Sequence, residues 1–196
     1  MFTGVVQGLG RLRSSRAGAV EIETPDRMRD RLGIGASVAV NGVCLTVREL
    51  AHVAFRADLS RETAARTTLG GLRDGARVNL ELPVRPSDGL DGHWVLGHVD
   101  AVGRIGALYR EESDWILIVK CPGQYLRYVV EKGSIAVDGI SLTSYGIDGN
   151  SFRCSIVPET YEKTTMQDRK SGDAVNLEFD VLAKYVERMM PLVHHD

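Results

Sequence analysis

Hydrophobic and polar positions alternate in short bursts along the chain, and glycine or proline interrupts nearly every burst. Val38 to Val40, Leu45 to Val47, Val53 to Phe55 and Val78 to Leu82 are rich in β-branched residues and read as short strands. Thr46, Asn79 and Glu81 supply the polar positions expected of a half-buried antiparallel strand. Asn41-Gly42, Asp138-Gly139 and Asp148-Gly149 are turn dipeptides that tolerate positive φ. Two stretches that begin at proline, residues 25–32 and 122–130, predict short helices. Residues 83–91 contain Pro83, Pro86, Ser87 and Gly89, which break any regular pattern and predict a linker. Beyond residue 180, Val181, Leu182, Tyr185, Val186 and Met189 form an apolar stripe at helical spacing, with Asp180 placed to cap the helix and Pro191 to stop it. A helix of this length is marginal alone. It must dock either on its own domain or, as favoured here, against the same helix of other subunits.

An internal repeat organises these elements. Residues 37–46 (SVAVNGVCLT) align with residues 134–143 (SIAVDGISLT) at an offset of 97. The same offset pairs Glu62-Thr63 with Glu159-Thr160, Thr67-Thr68 with Thr164-Thr165, and residues 78–81 (VNLE) with 175–178 (VNLE). About seventeen of the forty-six positions so aligned are identical, without a gap. Further upstream, residues 4–12 resemble residues 97–105 at an offset of 93, which predicts a hairpin longer by four residues in the second copy, around 109–114. About six short strands in some 90 residues suit a small closed barrel with Greek-key connections, because closure removes exposed edges. The expected fold is therefore all-β: two similar closed barrels in tandem, residues 1–90 and 91–180, with short helices and a C-terminal oligomerisation helix and tail, 181–196.

Composition narrows the function. The chain is 196 residues long, 43% hydrophobic and 26% charged, with 24 basic against 26 acidic residues. A nearly balanced charge argues against nucleic acid or an anionic membrane as a partner, and no apolar run is long enough to span a bilayer. The start of the chain has neither the basic leader nor the apolar stretch of a signal peptide. Three widely spaced cysteines, Cys44, Cys121 and Cys154, suggest neither a disulfide framework nor a zinc ribbon, and the five histidines show no metal spacing. No phosphate-binding glycine loop is present. A cytoplasmic protein needing neither metal nor organic cofactor is the expectation.

Several motifs in order carry a resemblance. Met1-Phe2-Thr3-Gly4, then residues 40–47 (VNGVCLTV), 97–100 (GHVD) and 138–143 (DGISLT), together with the duplication, resemble the riboflavin synthase family of the α-chain type, from residue 1 to about 190. The resemblance implies a homotrimer of two-barrel subunits with active sites between subunits. It implies transfer of a four-carbon unit between two molecules of 6,7-dimethyl-8-ribityllumazine, giving riboflavin and 5-amino-6-ribitylaminouracil. It further implies a first pocket made by Gly4, Val5, Val6, Cys44, Leu45, Thr46, Asp58, Leu59, Ser60, Arg61, Glu62 and Thr63 with Gly97, His98 and Val99. The second would use Lys132, Ser141, Leu142, Thr143, Val157, Pro158, Glu159, Thr160, Tyr161 and Glu162. Phe2, Ser37, Cys44, His98, Ser141, Thr143 and Asp180 match positions with catalytic roles. Ser60, where related sequences often carry a larger apolar residue, and Ala101, in place of a common glycine, depart from the pattern without removing a reactive group.

The residues fit that chemistry on their own terms. A dismutation takes two copies of one substrate, and a duplicated fold offers two similar pockets. Unequal roles need unequal chemistry, and the copies differ where Cys44 faces Ser141 and where Val5 stands in place of His98. His98 is the natural proton shuttle near neutral pH. Cys44 is either a nucleophile towards the ring or a contact beside it, since a thiolate needs a positive neighbour to form. His93, beside Trp94, reads as marking the start of the second barrel. Two other classes compete. A non-catalytic lumazine- or flavin-binding carrier on the same fold is expected to have lost such polar groups, and a cysteine hydrolase lacks a third group and an oxyanion motif here.

Overall fold

The computed structural model describes residues 1–16 and 18–190. Six antiparallel strands close the first barrel: β1 (Gly8–Arg16), β2 (Ala19–Glu23), β3 (Ser37–Val40), β4 (Val43–Leu50), β5 (Ala54–Asp58) and β6 (Arg77–Glu81), in the spatial order β1-β2-β5-β4-β3-β6. The second barrel repeats this order with β7 (Ala101–Glu111), β8 (Asp114–Lys120), β9 (Ser134–Val137), β10 (Ile140–Asp148), β11 (Ser151–Ile156) and β12 (Ala174–Phe179). Each encloses its own core, Leu12, Phe55 and Leu80 in the first and Leu117, Phe152 and Leu177 in the second. The hairpin β7–β8 has strands of 11 and 7 residues against 9 and 5 in β1–β2. Two extra residues on each strand account for the four-residue change of offset.

The short helices differ from expectation. Residues 25–32 form only one turn, α1 (Asp26–Arg29), and residues 122–130 wind as a 3-10 helix, Gly123–Tyr128. Two helices that the alternation did not announce follow β5 and β11: α2 (Arg61–Arg66) and α3 (Pro158–Lys163). Both lie where the second half of each repeat has little apolar periodicity. Capping decides them: Ser60 Oγ accepts from Thr63 N–H at 3.0 Å, and Pro158 opens α3 with φ preset.

Asn79 and Glu81 do not face solvent as the alternation predicted; they are 2% and 4% exposed, and Asn176 and Glu178 are buried likewise. The polar face of β6 and β12 is turned into the junction between barrels. Asn41-Gly42 and Asp138-Gly139 form hairpin turns with positive φ at all four residues. The turns meet back to back: a Cβ on Gly42 would lie 2.7 Å from Gly139 N, and one on Gly139 would lie 2.6 Å from Gly42 N. Asn79 Nδ2 donates to Asp138 O (2.9 Å) and Asn176 Nδ2 to Asn41 O (2.8 Å). Their Oδ1 atoms accept from Thr165 N and Thr68 N, both at 2.8 Å. The same pair of bonds thus runs in each direction across the junction, four in all.

One position breaks this symmetry. Asp138, wholly buried, accepts from Arg169 Nη2 at 2.6 Å and from Asn176 N–H at 2.8 Å. The first copy has Asn41 and Leu72 at the equivalent positions. Burial raises the Asp138 carboxyl above the ordinary aspartate range, and the guanidinium offsets this only in part.

The C-terminal helix α4 (Val181–Met189) begins at Asp180, whose Oδ1 accepts from Leu182 N–H at 2.9 Å. Polar side chains dock it on its own second barrel: Lys184 Nζ reaches both carboxylate oxygens of Asp100 at 2.8 and 2.7 Å, and Glu187 meets Arg127 and Tyr128. The apolar stripe stays uncovered, with Leu182, Tyr185, Val186 and Met189 all more than half exposed. Pro191, His194 and His195 lie outside the described residues.

Replacing Asp138 by Asn strands the half-buried Arg169 charge and is expected to cost about 3 kcal/mol. The double variant Asp138→Asn, Arg169→Leu reproduces the first copy's pair and should recover most of that loss, as read by urea unfolding. The folded state holds the Asp138 proton more tightly than the unfolded chain does. Its contribution to stability therefore falls as pH rises from about 4 through its raised value, and the double variant should show the flatter pH profile.

Candidate active site

Each barrel carries a groove that includes two equivalent positions of the repeat, Cys44 and Thr63 in the first and Ser141 and Thr160 in the second. The first, about 590 Å³, is walled by Cys44, Leu45 and Thr46 of β4 and by Asp58, Leu59, Ser60 and Thr63 between β5 and α2. The second, about 450 Å³, is walled by Ile140 and Ser141 of β10, by Glu159, Thr160, Lys163 and Thr164 of α3 and its end, and by Gly4, Val5 and Val6. Thr67 and Thr164 fix the two helix ends identically, each hydroxyl donating 2.7 Å to the carbonyl four residues back.

The structure therefore moves Gly4, Val5 and Val6 away from the Cys44 pocket and into the Ser141 groove. The leading segment of each copy crosses to the other barrel. Ser141 N–H donates to Gly4 O and Cys44 N–H donates to Gly97 O, both at 2.8 Å. Val6 packs on the second core, and Val99 on the first. Space demands glycine at both crossings: a Cβ on Gly4 would lie 2.6 Å from Ser141 Cβ, and one on Gly97 would lie 2.5 Å from Cys44 Cβ.

Two buried carboxylates hold these segments. Glu81 Oε1 accepts from Thr3 N–H (2.6 Å) and Thr3 Oγ1 (2.9 Å), while Oε2 accepts from Gly4 N–H (3.0 Å). Glu178 accepts from Leu96 N–H (2.7 Å) and Gly97 N–H (2.9 Å). Burial raises both carboxyls above the ordinary glutamate range, and the N–H donors pull them back only in part. So Glu81 of the first barrel holds the segment that walls the second groove, and Glu178 holds the segment whose Gly97 carbonyl is bonded to Cys44 N–H of the first. Neither was read as a site residue, although identity between the copies at a polar position in a short strand was the available signal.

The remaining predicted residues divide. His98 is exposed beyond Gly97, and its ring has no hydrogen bond among the described residues. Phe2 is fully buried with Ala39, Val95 and Ala136, so it packs the junction and its ring does not line a groove. Ser37 lies half-buried on β3 opposite Thr46, and Leu142 is a core residue. Thr143 is exposed, paired with Ser134; Lys132 is exposed too, its ammonium 5.2 Å from the Tyr145 ring. Neither reaches the second groove's wall within this chain. Arg61 and Glu62 are exposed on α2, where Glu62 pairs with Arg66 at 3.3 Å. Val157, Pro158 and Glu162 are exposed at α3, and Tyr161 stacks on Trp115 at 3.8 Å. Asp180 caps α4. His93, read as a boundary marker, is instead buried against Ser141.

The walls offer hydroxyls, backbone amides and the ion pair Lys163–Glu159 (2.5 Å), whose ammonium keeps the Glu159 carboxyl below its ordinary range. No group of three or more His, Cys, Asp or Glu able to hold a metal occurs among the described residues, and none of the described helices is long and apolar enough to cross a membrane. Cys44 is half-buried in the first groove. Cys121 and Cys154 sit in the second core, where burial pushes their thiols up to about 11 and about 12.

Paired grooves on a duplicated six-stranded barrel define a protein of the lumazine-binding class, and the family described as "Lumazine binding domain" matches residues 3–83 and 96–180. The chain is 46% identical to riboflavin synthase of Mycobacterium bovis over 97% of this chain and 98% of that one. It is 40% identical to riboflavin synthase of Escherichia coli K12, over 92% and 87%. Crystal structures of LumP share its fold: the complex with 6,7-dimethyl-8-(1'-D-ribityl) lumazine gives a TM-score of 0.82 at 22% identity, covering 91% of this chain and 99% of that one. The chain belongs to the riboflavin synthase family.

Alkylation at pH 8 should label Cys44 in the folded protein while Cys121 and Cys154 react only after unfolding, as mass spectrometry of peptides will show. Glu81→Gln sets an amide N–H against the N–H groups of residues 3 and 4. It should cost about 2 kcal/mol and accelerate proteolysis at residues 2–6, with Glu178→Gln acting instead at residues 96–99.

Proposed function

We propose that the two grooves are the two substrate sites of one riboflavin synthase reaction. One groove binds the 6,7-dimethyl-8-ribityllumazine molecule that gives up four carbons, and the other binds the molecule that accepts them. The observation that carries this reading is likeness of backbone joined to difference of chemistry. The backbone N–H of Cys44 and that of Ser141 are held identically by Gly97 O and Gly4 O, yet one groove presents a thiol and the other a hydroxyl. A carrier needs no such inequality, whereas a dismutation does.

The chemistry needs a proton removed from an acidic methyl of one pteridine, a nucleophile added to the ring of the other, and the two rings held face to face. Orientation supplies much of the acceleration, because joining two bound molecules replaces a bimolecular encounter and gains on the order of several kcal/mol. Hydroxyls and backbone amides on the walls suit the uracil-like edge and the ribityl chain. His98 follows Gly97, whose carbonyl is tied to Cys44, and serves as the proton carrier of the first site. Cys44 adds to the ring or holds it.

Two rings can stack only if two grooves meet mouth to mouth. The junction bonds between Asn79, Asn176 and the two turns hold the barrels of one chain in a single orientation, which favours a partner groove from another chain. The active site is accordingly assembled from the first barrel of one subunit and the second barrel of its neighbour in a trimer, with the uncovered stripe of α4 as the contact between subunits. Thr143 and Lys132, which miss the groove wall within one chain, are exposed and available to that neighbour. Three unpaired thiols suit a cytoplasmic enzyme.

Incubation with the lumazine alone should yield riboflavin absorbance in the presence of a chelator; bound lumazine fluorescence without product would favour a carrier. Cys44→Ala and Ser141→Ala variants should each be impaired. When co-refolded in equal amounts they should regain about a quarter of wild-type sites, because in a cyclic trimer each site pairs one chain's first barrel with the next chain's second. Mixed trimers without regained activity would exclude the intersubunit site.

A further inference from the structure

The two grooves differ in more than the exchange of sulfur for oxygen. No side chain among the described residues hydrogen-bonds the Cys44 thiol, whereas the Ser141 hydroxyl lies 2.7 Å from Nδ1 of His93. His93 is 7% exposed, and its backbone N–H donates to Thr3 O at 3.0 Å. It can reach Ser141 because Gly92 lets the chain pass close: a Cβ there would lie 2.0 Å from Thr3 O and 3.1 Å from Ser141 Oγ. The second groove thus has a buried imidazole behind its hydroxyl.

We propose that His93 is a positioning residue for the second site, which donates its Nδ1 proton to Ser141 and so leaves the Ser141 hydroxyl proton directed at an acceptor oxygen or nitrogen of the bound lumazine. The tautomer follows from burial. His93 Nε2 is buried without a partner, and an orphaned N–H donor is rarer and costlier in a protein interior than an orphaned lone pair. Nε2 therefore carries the lone pair and Nδ1 the proton. Burial also lowers the His93 pKa from its ordinary value, against a weaker upward pull from Asp180, so the ring is neutral and offers this single proton. With one lone pair of Ser141 Oγ engaged by the imidazole, the hydroxyl has no other partner among the described residues and its proton is free for the ligand. The proposal deepens the reading of this groove as a substrate site and rests on it.

Steady-state kinetics on 6,7-dimethyl-8-ribityllumazine with four variants tests the proposal. Ser141→Ala should lower kcat/KM about tenfold. His93→Leu should lower it by a similar factor, and the double variant should be no worse than either single one, since both remove one directed hydrogen bond. His93→Asn, whose amide can occupy the place of Nδ1, should restore at least half of the loss. A structural role alone would make the two losses multiply and Asn as harmful as Leu; either result overturns the proposal. If Ser141→Ala leaves kcat/KM unchanged, the reading of this groove fails and the proposal falls with it. If Ser141→Ala is impaired while His93→Leu is not, only the proposal falls. Nitrogen-15 NMR of the folded wild-type protein gives an independent measure: a proton on Nε2 in place of Nδ1 would also overturn it.

Discussion

The exchange of amide hydrogen bonds between Asn79 and Asn176 and the opposing turns at residues 41–42 and 138–139 is the contact on which the rest depends. Each asparagine spends its donor on the other barrel's turn and its acceptor on the N–H that starts the 3-10 turn after the other barrel's helix. These are buried polar groups, so leaving any of them unpaired is costly, and the barrels are held in one orientation. Hydrophobic contact across the junction is modest by comparison: Phe2, Ala39, Val95 and Ala136 form a small cluster beside the two large cores.

That orientation lets the leading segments cross. A segment of residues 2–6 leaves the buried carboxylate of Glu81 and meets β10 of the second barrel; residues 95–99 leave Glu178 and meet β4 of the first. The second groove takes Gly4, Val5 and Val6 from the first repeat, whereas the first groove is walled by its own repeat and meets the second only where Gly97 O accepts from Cys44 N–H. Each half lends the other a segment bonded to the residue at the Cys44 or Ser141 position, so a change in the junction acts on both barrels. The chemical differences, Cys44 against Ser141 and the imidazole behind only one of them, are confined to side chains on an otherwise shared backbone.

Much of this fold was readable without coordinates. Two copies at an offset of 97 residues require two similar units, and strands too short and too glycine-punctuated for a stable open sheet require closure. The asparagine- and aspartate-glycine turns were legible because positive φ leaves few alternatives. Helices α2 and α3 were not, since hydroxyl and proline caps rather than an apolar stripe hold them. Asn79 and Glu81 were misread for a related reason: alternation records polarity, and a polar side chain can face water or an equally polar protein surface.

The sequence by itself determined the duplication, the barrel class, the capped C-terminal helix and the list of polar groups from which a site is drawn. Those follow from local periodicity, turn chemistry and self-similarity, which act over a few residues or between identical strings. The tertiary structure alone decided which groups share a groove. It sent Gly4 to Ser141 and Gly97 to Cys44, withdrew Phe2 into the junction, and set His93 behind a hydroxyl 48 residues away. Pairings of that kind depend on the orientation of one barrel against the other, which buried hydrogen bonds between distant residues impose and no local pattern encodes.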